Sequence, residues 1–141
     1  MNDGPLNLLK LSVGTKSVDG LRRWQVGRMR ATRRAAPFHV TRMVPRRLEE
    51  LVDGGSIYWV IGGSVRCRQT IEAIEPFRDK GGTGRCRLVL GTELIETFWQ
   101  PRRPFQGWRY LTVGDAPPDL PSGVDPESLE LLGRLDALGL R

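Results

Sequence analysis

Histidine occurs once in this 141-residue chain, cysteine twice and lysine three times, and each shortage removes a class of function. Cys67 and Cys86 are too few and too widely separated for a zinc site. His39 is the sole imidazole, so no set of His, Cys and acid falls at metal-ligand spacing; neither metal nor cofactor is expected. Both cysteines sit in alternating apolar strings, where a thiol usually serves as a small buried hydrophobe. A disulfide requires their strands to pair. No run reaches the ~20 apolar residues of a membrane-spanning helix, so no membrane partner is expected. The segment MNDGPLNLLKLSV lacks the basic start, long apolar run and cleavage site of an export signal, so the expected location is cytoplasmic.

Arginine takes the place of lysine: 19 of the 22 basic residues are Arg, against 16 acids. Between Asp19 and Glu49 stand Arg22, Arg23, Arg28, Arg30, Arg33, Arg34, Arg42, Arg46 and Arg47, with no acid among them. A second acid-free segment, FWQPRRPFQGWRYL from Phe98 to Leu111, interleaves Arg102, Arg103 and Arg109 with aromatics. From Asp115 onward acids outnumber arginines. The guanidinium is a flat fork of donors that suits phosphate and stacks on rings, so the pattern points to an anionic partner. The competing explanation is compositional bias with no ligand behind it.

The pattern along the chain is that of an α+β protein. LNLLKLSV (Leu6–Val13) reads as a strand. Ser17 is an N-cap for a helix over Val18–Met29, with Val18, Leu21 and Trp24 at helical spacing. FHVTRM (Phe38–Met43) is strand-like, and Pro45 opens a second helix, PRRLEELVD, ended by Gly54 and Gly55. SIYWVI (Ser56–Ile61) and the string from Val65 are strands joined by a Gly62-Gly63 turn. In the latter, Val65, Cys67, Gln69, Ile71 and Ala73 share one face. Arg85–Leu90 and Glu93–Trp99 complete a small, bent mixed sheet or partly closed β-barrel with two helices. Residues 1–114 are read as one barrel-like domain. Residues 115–141 are read as a linker (Pro117, Pro118, Pro121) and a short acidic amphipathic helix over Pro126–Leu138, which either packs back or binds a protein partner.

Several residues are candidates for function. Arg46 and Arg47 stand at the start of the second helix, where its dipole joins the two cations in attracting phosphate. Arg42, Arg102, Arg103 and Arg109 extend the anion-binding set. Pro101 and Pro104 stiffen their segment and lower the cost of presenting Arg102 and Arg103. Trp59, Trp108 and Tyr110 offer stacking surfaces, and His39 and Thr41 offer hydrogen bonds. Tyr58 and Trp59 are adjacent on a strand, so one should enter the core and the other face outward. Each candidate has a plainer alternative: His39 as a hydrogen-bonded strand residue, and the 98–111 aromatics as a plug over the core with solvated arginines. His39 is also the one candidate acid or base. GGSIYWVIGG is not a phosphate loop, because its glycines leave a helix and enter a strand.

The strings FHVTRMVPRRLEELVDGGSIYWVIGG, VRCRQTI, RCRLVLG and PRRPFQGWRYL resemble a family of small uncharacterised bacterial proteins, mostly alphaproteobacterial, known as a domain of unknown function. The resemblance runs from Leu6 to Leu120 and implies no activity; the acidic extension after Pro121 is not matched to the pattern. A basic helix followed by bent strands is also similar in architecture to RNA-binding barrels of the pseudouridine-synthase-associated type. Three functions are therefore expected in order: a nucleic-acid-binding module with RNA favoured over DNA, a small enzyme on a phosphorylated or nucleotide substrate with His39 as acid/base, and a protein-interaction adaptor. The sequence leaves the oligomeric state open.

Overall fold

The structure, a computed structural model, describes residues 4–121; the helix expected over Pro126–Leu138 lies outside them. The elements run β1 (Asn7–Leu11), α1 (Val18–Thr32), β2 (Phe38–Thr41), α2 (Leu48–Val52), β3 (Ser56–Ile61), β4 (Ser64–Arg78), β5 (Gly84–Leu90), β6 (Ile95–Pro101) and β7 (Trp108–Leu111), then a 3-10 turn at Val113–Asp115. Seven strands form one mixed sheet in the order β2-β5-β4-β3-β1-β7, with β6 also paired to β4. β1 and β3 are parallel; the other pairs are antiparallel. The sheet is bent but open, so the barrel alternative gives way to the bent-sheet one. β4 is the reason. Its first half pairs with β3 and β6 and its second half with β5, so one long strand serves two parts of the sheet.

Two bulges bend β4 and also reset its alternation. Trp59 and Val60 pair with Cys67 and Val65, leaving Arg66 as the extra residue; Ile71 and Ala73 pair with Leu90 and Val89, leaving Glu72 extra. The single face expected for Val65, Cys67, Gln69, Ile71 and Ala73 is thereby broken. Cys67 and Ile71 enter the core under α1, Val65 enters the core on the opposite face, and Ala73 yields its place to Ile74.

The larger core gathers Leu8, Leu21, Leu51, Ile57, Trp59, Ile61, Leu88 and Leu90 beneath α1. The smaller one, on the reverse face, gathers Leu9, Tyr58, Val60, Val65, Phe105 and Leu111. Each fully buried aliphatic side chain contributes roughly 1.5–3 kcal/mol. With both faces of β3 covered, Tyr58 and Trp59 are both buried, and neither faces outward as alternation on a one-sided sheet required. Phe105 plugs the reverse core, in line with the plug reading of its segment. Cys67 and Cys86 are free and buried in the larger core; burial pushes the Cys67 thiol up to about 12.

α1 starts as expected, with Ser17 Oγ accepting from Gly20 N at 3.0 Å, but runs three residues beyond Met29 to Thr32. Arg33 ends it in the left-handed conformation, φ 55°. α2 begins at Leu48, after a turn that buries Pro45, rather than at the proline itself. β7 is a strand that the prolines and Gly107 of its segment concealed. It is one edge of the sheet, as the β1–β7 pairing shows. Residues 115–121 lie against β6: Thr97 bridges Asp119, and Phe98 N donates to Pro118 O at 3.0 Å.

A basic cleft between α1, β1 and β2

α1 crosses the bend of the sheet and leaves a cleft of about 220 Å³ at one end. Lys10, Ser12 and Thr15 come from β1 and the turn after it, Trp24 and Arg28 from α1, His39 from β2 and Trp59 from β3. Among the described residues, no carboxylate lines it. Its volume lies below the roughly 300–1,000 Å³ of sites for drug-sized molecules, which suits one base or one phosphate.

His39 stands at the floor of this cleft. Its ring meets Trp59 edge to face, with centroids 5.5 Å apart. Burial, reinforced by Lys10 and Arg28, pulls its pKa down to about 4, so the imidazole is neutral at pH 7 and offers one donor and one acceptor. Burial also draws Lys10 below the ordinary lysine value. Arg28 donates to Phe38 O at 3.2 Å, and its guanidinium carbon lies 4.0 Å from the Phe38 ring centroid and 5.1 Å from that of Trp24. Trp24 is 51% exposed and forms an open wall.

Further aromatic groups lie beside the cleft on the same side of the sheet. Lys10 pairs in register with Trp108, which meets Tyr110 at 5.0 Å between centroids. Tyr110 Oη accepts from Arg47 N at 3.1 Å, and the Arg47 guanidinium carbon lies 5.6 Å from the Tyr110 ring. Lys10 thus links the cleft to a chain of neighbours formed by Trp108, Tyr110 and Arg47.

The structure divides the residues expected from sequence. His39, Trp59, Trp108, Tyr110 and Arg47 share this side of the sheet. Trp59 does so as a buried floor, 4% exposed, with its Nε1 donating to Gln69 Oε1 at 3.1 Å; it is not an exposed stacking platform. Thr41 shares the strand face of His39, yet its hydroxyl donates to Met43 O at 2.9 Å. Arg47 is held by Glu50 through two bonds of 2.6 and 2.7 Å, which occupies its fork. Arg109 and Leu111 alternate with Trp108 and Tyr110, so Arg109 falls on the reverse face, 4.7 Å over Phe105. Arg102 donates to Gln100 Oε1 at 2.7 and 3.1 Å and to Asp115 O. Arg42, Arg46 and Arg103 are exposed. Lys10, Trp24 and Arg28, which line the cleft, were not among the candidates expected from sequence. A lysine within an apolar strand and a tryptophan beside a helix's buried stripe were the available signals.

A larger depression of about 430 Å³ lies near Ser56, Tyr58 and Pro117. Its charged groups satisfy one another: Arg68 meets Asp119 at 2.7 and 2.8 Å and Ser56 Oγ at 2.9 Å. Arg68 holds the Asp119 carboxyl below the usual range. Among the described residues, no three His, Cys, Asp or Glu side chains are grouped to hold a metal, and no helix is long and apolar enough to cross a membrane.

An open mixed sheet, a long crossing helix and the cleft between them define the protein as an α+β domain with a basic, aromatic-walled site. The chain belongs to the family described as Protein of unknown function (DUF1489), whose pattern matches residues 8–140. The match takes in the acidic extension beyond Pro121 that the resemblance read from sequence had left out. No curated protein and no solved structure matches the chain.

Proposed function

We propose that this protein binds single-stranded nucleic acid, RNA in preference to DNA, through the cleft between α1, β1 and β2. The observation behind this reading is the lining of the cleft: two cations, an exposed indole and a neutral imidazole, with no carboxylate among the described residues. Trp24 stacks an unpaired base, a contact worth roughly 1–3 kcal/mol. Lys10 and Arg28 hold its phosphate, and His39 bonds the base edge from below. Trp108 and Tyr110 continue the aromatic path for a following nucleotide. The 2′-hydroxyl of RNA finds partners in Ser12 and Thr15, whose hydroxyls lie 2.5 Å apart at the rim.

The acid/base alternative is weaker on the same geometry. A histidine drawn down to about 4 carries almost no proton at pH 7 and is a feeble base, and cations rather than a carboxylate flank it. A cytoplasmic location and a protein partner for the acidic C-terminal segment belong to the proposal's setting and lend it no support.

The test is a salt-titrated binding assay with labelled single-stranded RNA, single-stranded DNA and duplex RNA. Affinity should fall steeply with salt, and Lys10→Gln should reduce the logarithmic slope by about 0.7, the value for one phosphate contact on a single strand. Binding that is absent at low salt, or indifferent to salt, refutes the proposal.

A further inference from the structure

Three guanidiniums lie within 6 Å of one buried ring beside the cleft. The Arg28, Arg34 and Arg87 carbons lie 4.0, 5.0 and 5.8 Å from the Phe38 centroid, and Arg87 also packs on Phe77 at 4.4 Å. They arrive from three places: the body of α1, the residue after its left-handed cap, and β5. Among the described residues, none of the three is held by a short carboxylate bond. Arg87 meets Glu75 at 3.5 Å, the long limit of a hydrogen bond, and its buried Nε has no partner among the described residues. Burial first, and the neighbouring Arg87 after it, lower the pKa of Arg28; a bound anion would offset the second effect.

We infer that this cluster recognises a terminal phosphomonoester, the phosphorylated end of an RNA strand whose last base lies in the cleft. The inference rests on the RNA-binding reading above. Three guanidiniums against one carboxylate exceed what a singly charged internal phosphodiester requires. A terminal phosphate carries about −1.5 to −2 at neutral pH and presents three acceptor oxygens, which matches the excess charge and the number of forks. Arg28 belongs to both groups, since it lines the cleft and packs on Phe38. Base and phosphate of one end nucleotide are thus served by adjoining side chains. Arg102, Arg103 and Arg109 take no part in it.

The experiment compares short single-stranded RNAs of one sequence: 5′-phosphate against 5′-hydroxyl with a 3′ label, and 3′-phosphate against 3′-hydroxyl with a 5′ label. The parent, Arg34→Gln, Arg34→Lys and Arg87→Gln are each checked by thermal unfolding. One phosphorylated end should bind about tenfold tighter than its hydroxyl counterpart, as one added charge-assisted group implies. That ratio should fall toward one in Arg34→Gln and Arg87→Gln and recover in part in Arg34→Lys. The pair of labels reports which end is read. Salt-steep binding with equal affinity for both kinds of end overturns the terminal-phosphate inference and leaves the RNA reading intact, as does a preference that survives both glutamine variants. Failure of every RNA to bind overturns the RNA reading itself.

Discussion

Gln25 on α1 and Gln69 on β4 exchange side-chain hydrogen bonds of 2.9 and 2.8 Å inside the protein. Gln69 Oε1 also accepts from Trp59 Nε1, and its Nε2 donates to Gly91 O at 2.8 Å. This amide pair fixes the helix over the bend of the sheet and so sets the width of the cleft. Gln69→Ala strands the Trp59 indole, the Gln25 amide and a backbone carbonyl, each costing about 1–3 kcal/mol if buried without a partner. We expect a loss of about 3 kcal/mol for Gln69→Ala and a smaller one for Gln25→Ala in urea unfolding. A double variant much less destabilised than the sum would confirm the coupling.

His39 makes stability depend on acid. Its folded pKa, about 4, lies below the ordinary 6.5, so between these values the unfolded chain binds a proton that the folded chain refuses. Stability therefore rises with pH across that window and is unaffected by His39 above it. The full loss on acidification is about 3 kcal/mol at most. Asp119 and Asp79, whose pKa values are lowered by Arg68 and Arg85, lose their contributions at still lower pH. Denaturant midpoints of the parent and His39→Gln, taken from about pH 7.5 to 4.5, should diverge in slope below about pH 6.5. Parallel curves would show that His39 is not buried in neutral form.

Gly54 and Gly55 differ in what they tolerate. Gly54 has φ +86°, and a Cβ added there would meet nothing nearer than Pro5 Cβ at 3.8 Å, an ordinary contact. A Cβ on Gly55 would stand 2.2 Å from Leu6 O and 2.3 Å from Leu51 O. Gly54→Ala should cost about 1 kcal/mol through backbone strain. Gly55→Ala must move β1 away from the end of α2, and we expect more than about 4 kcal/mol or failure to fold. Comparable thermal midpoints for the two variants would contradict this assignment.

Under the proposed reading, Trp24 separates binding from folding. With half its surface exposed, Trp24→Ala should change stability little, yet weaken single-stranded RNA binding by about 1–3 kcal/mol. Arg102→Ala with Arg103→Ala should leave affinity within about twofold, because Arg102 is bound to Gln100 and Asp115 on the other side of the sheet. The opposite ranking in a titration would move the site to the 98–111 segment.

Local chemistry made much of this fold legible. The Ser17 cap, the Gly62-Gly63 turn, the Ser56–Ile61 strand and the α+β composition depend on neighbours a few residues apart, and those are written in the chain. Strand β7 was not, because its pairing with β1 overrode the signals of a Pro-rich segment, and α1 runs on to a left-handed cap at Arg33 that no glycine marked. The placing of the candidate residues was less legible. Charge and aromatic content showed which residues to weigh, but adjacent strand residues point to opposite faces, and Arg109 and Tyr110 parted company for that reason.

Composition and local pattern were enough to establish an arginine-rich α+β domain with His39 as its one imidazole. They could not bring Lys10, Trp24, Arg28 and His39 together, since these lie on three elements that meet only through the bend of β4. Nor could they make His39 neutral, because burial and neighbouring cations are properties of the packed fold and not of any segment.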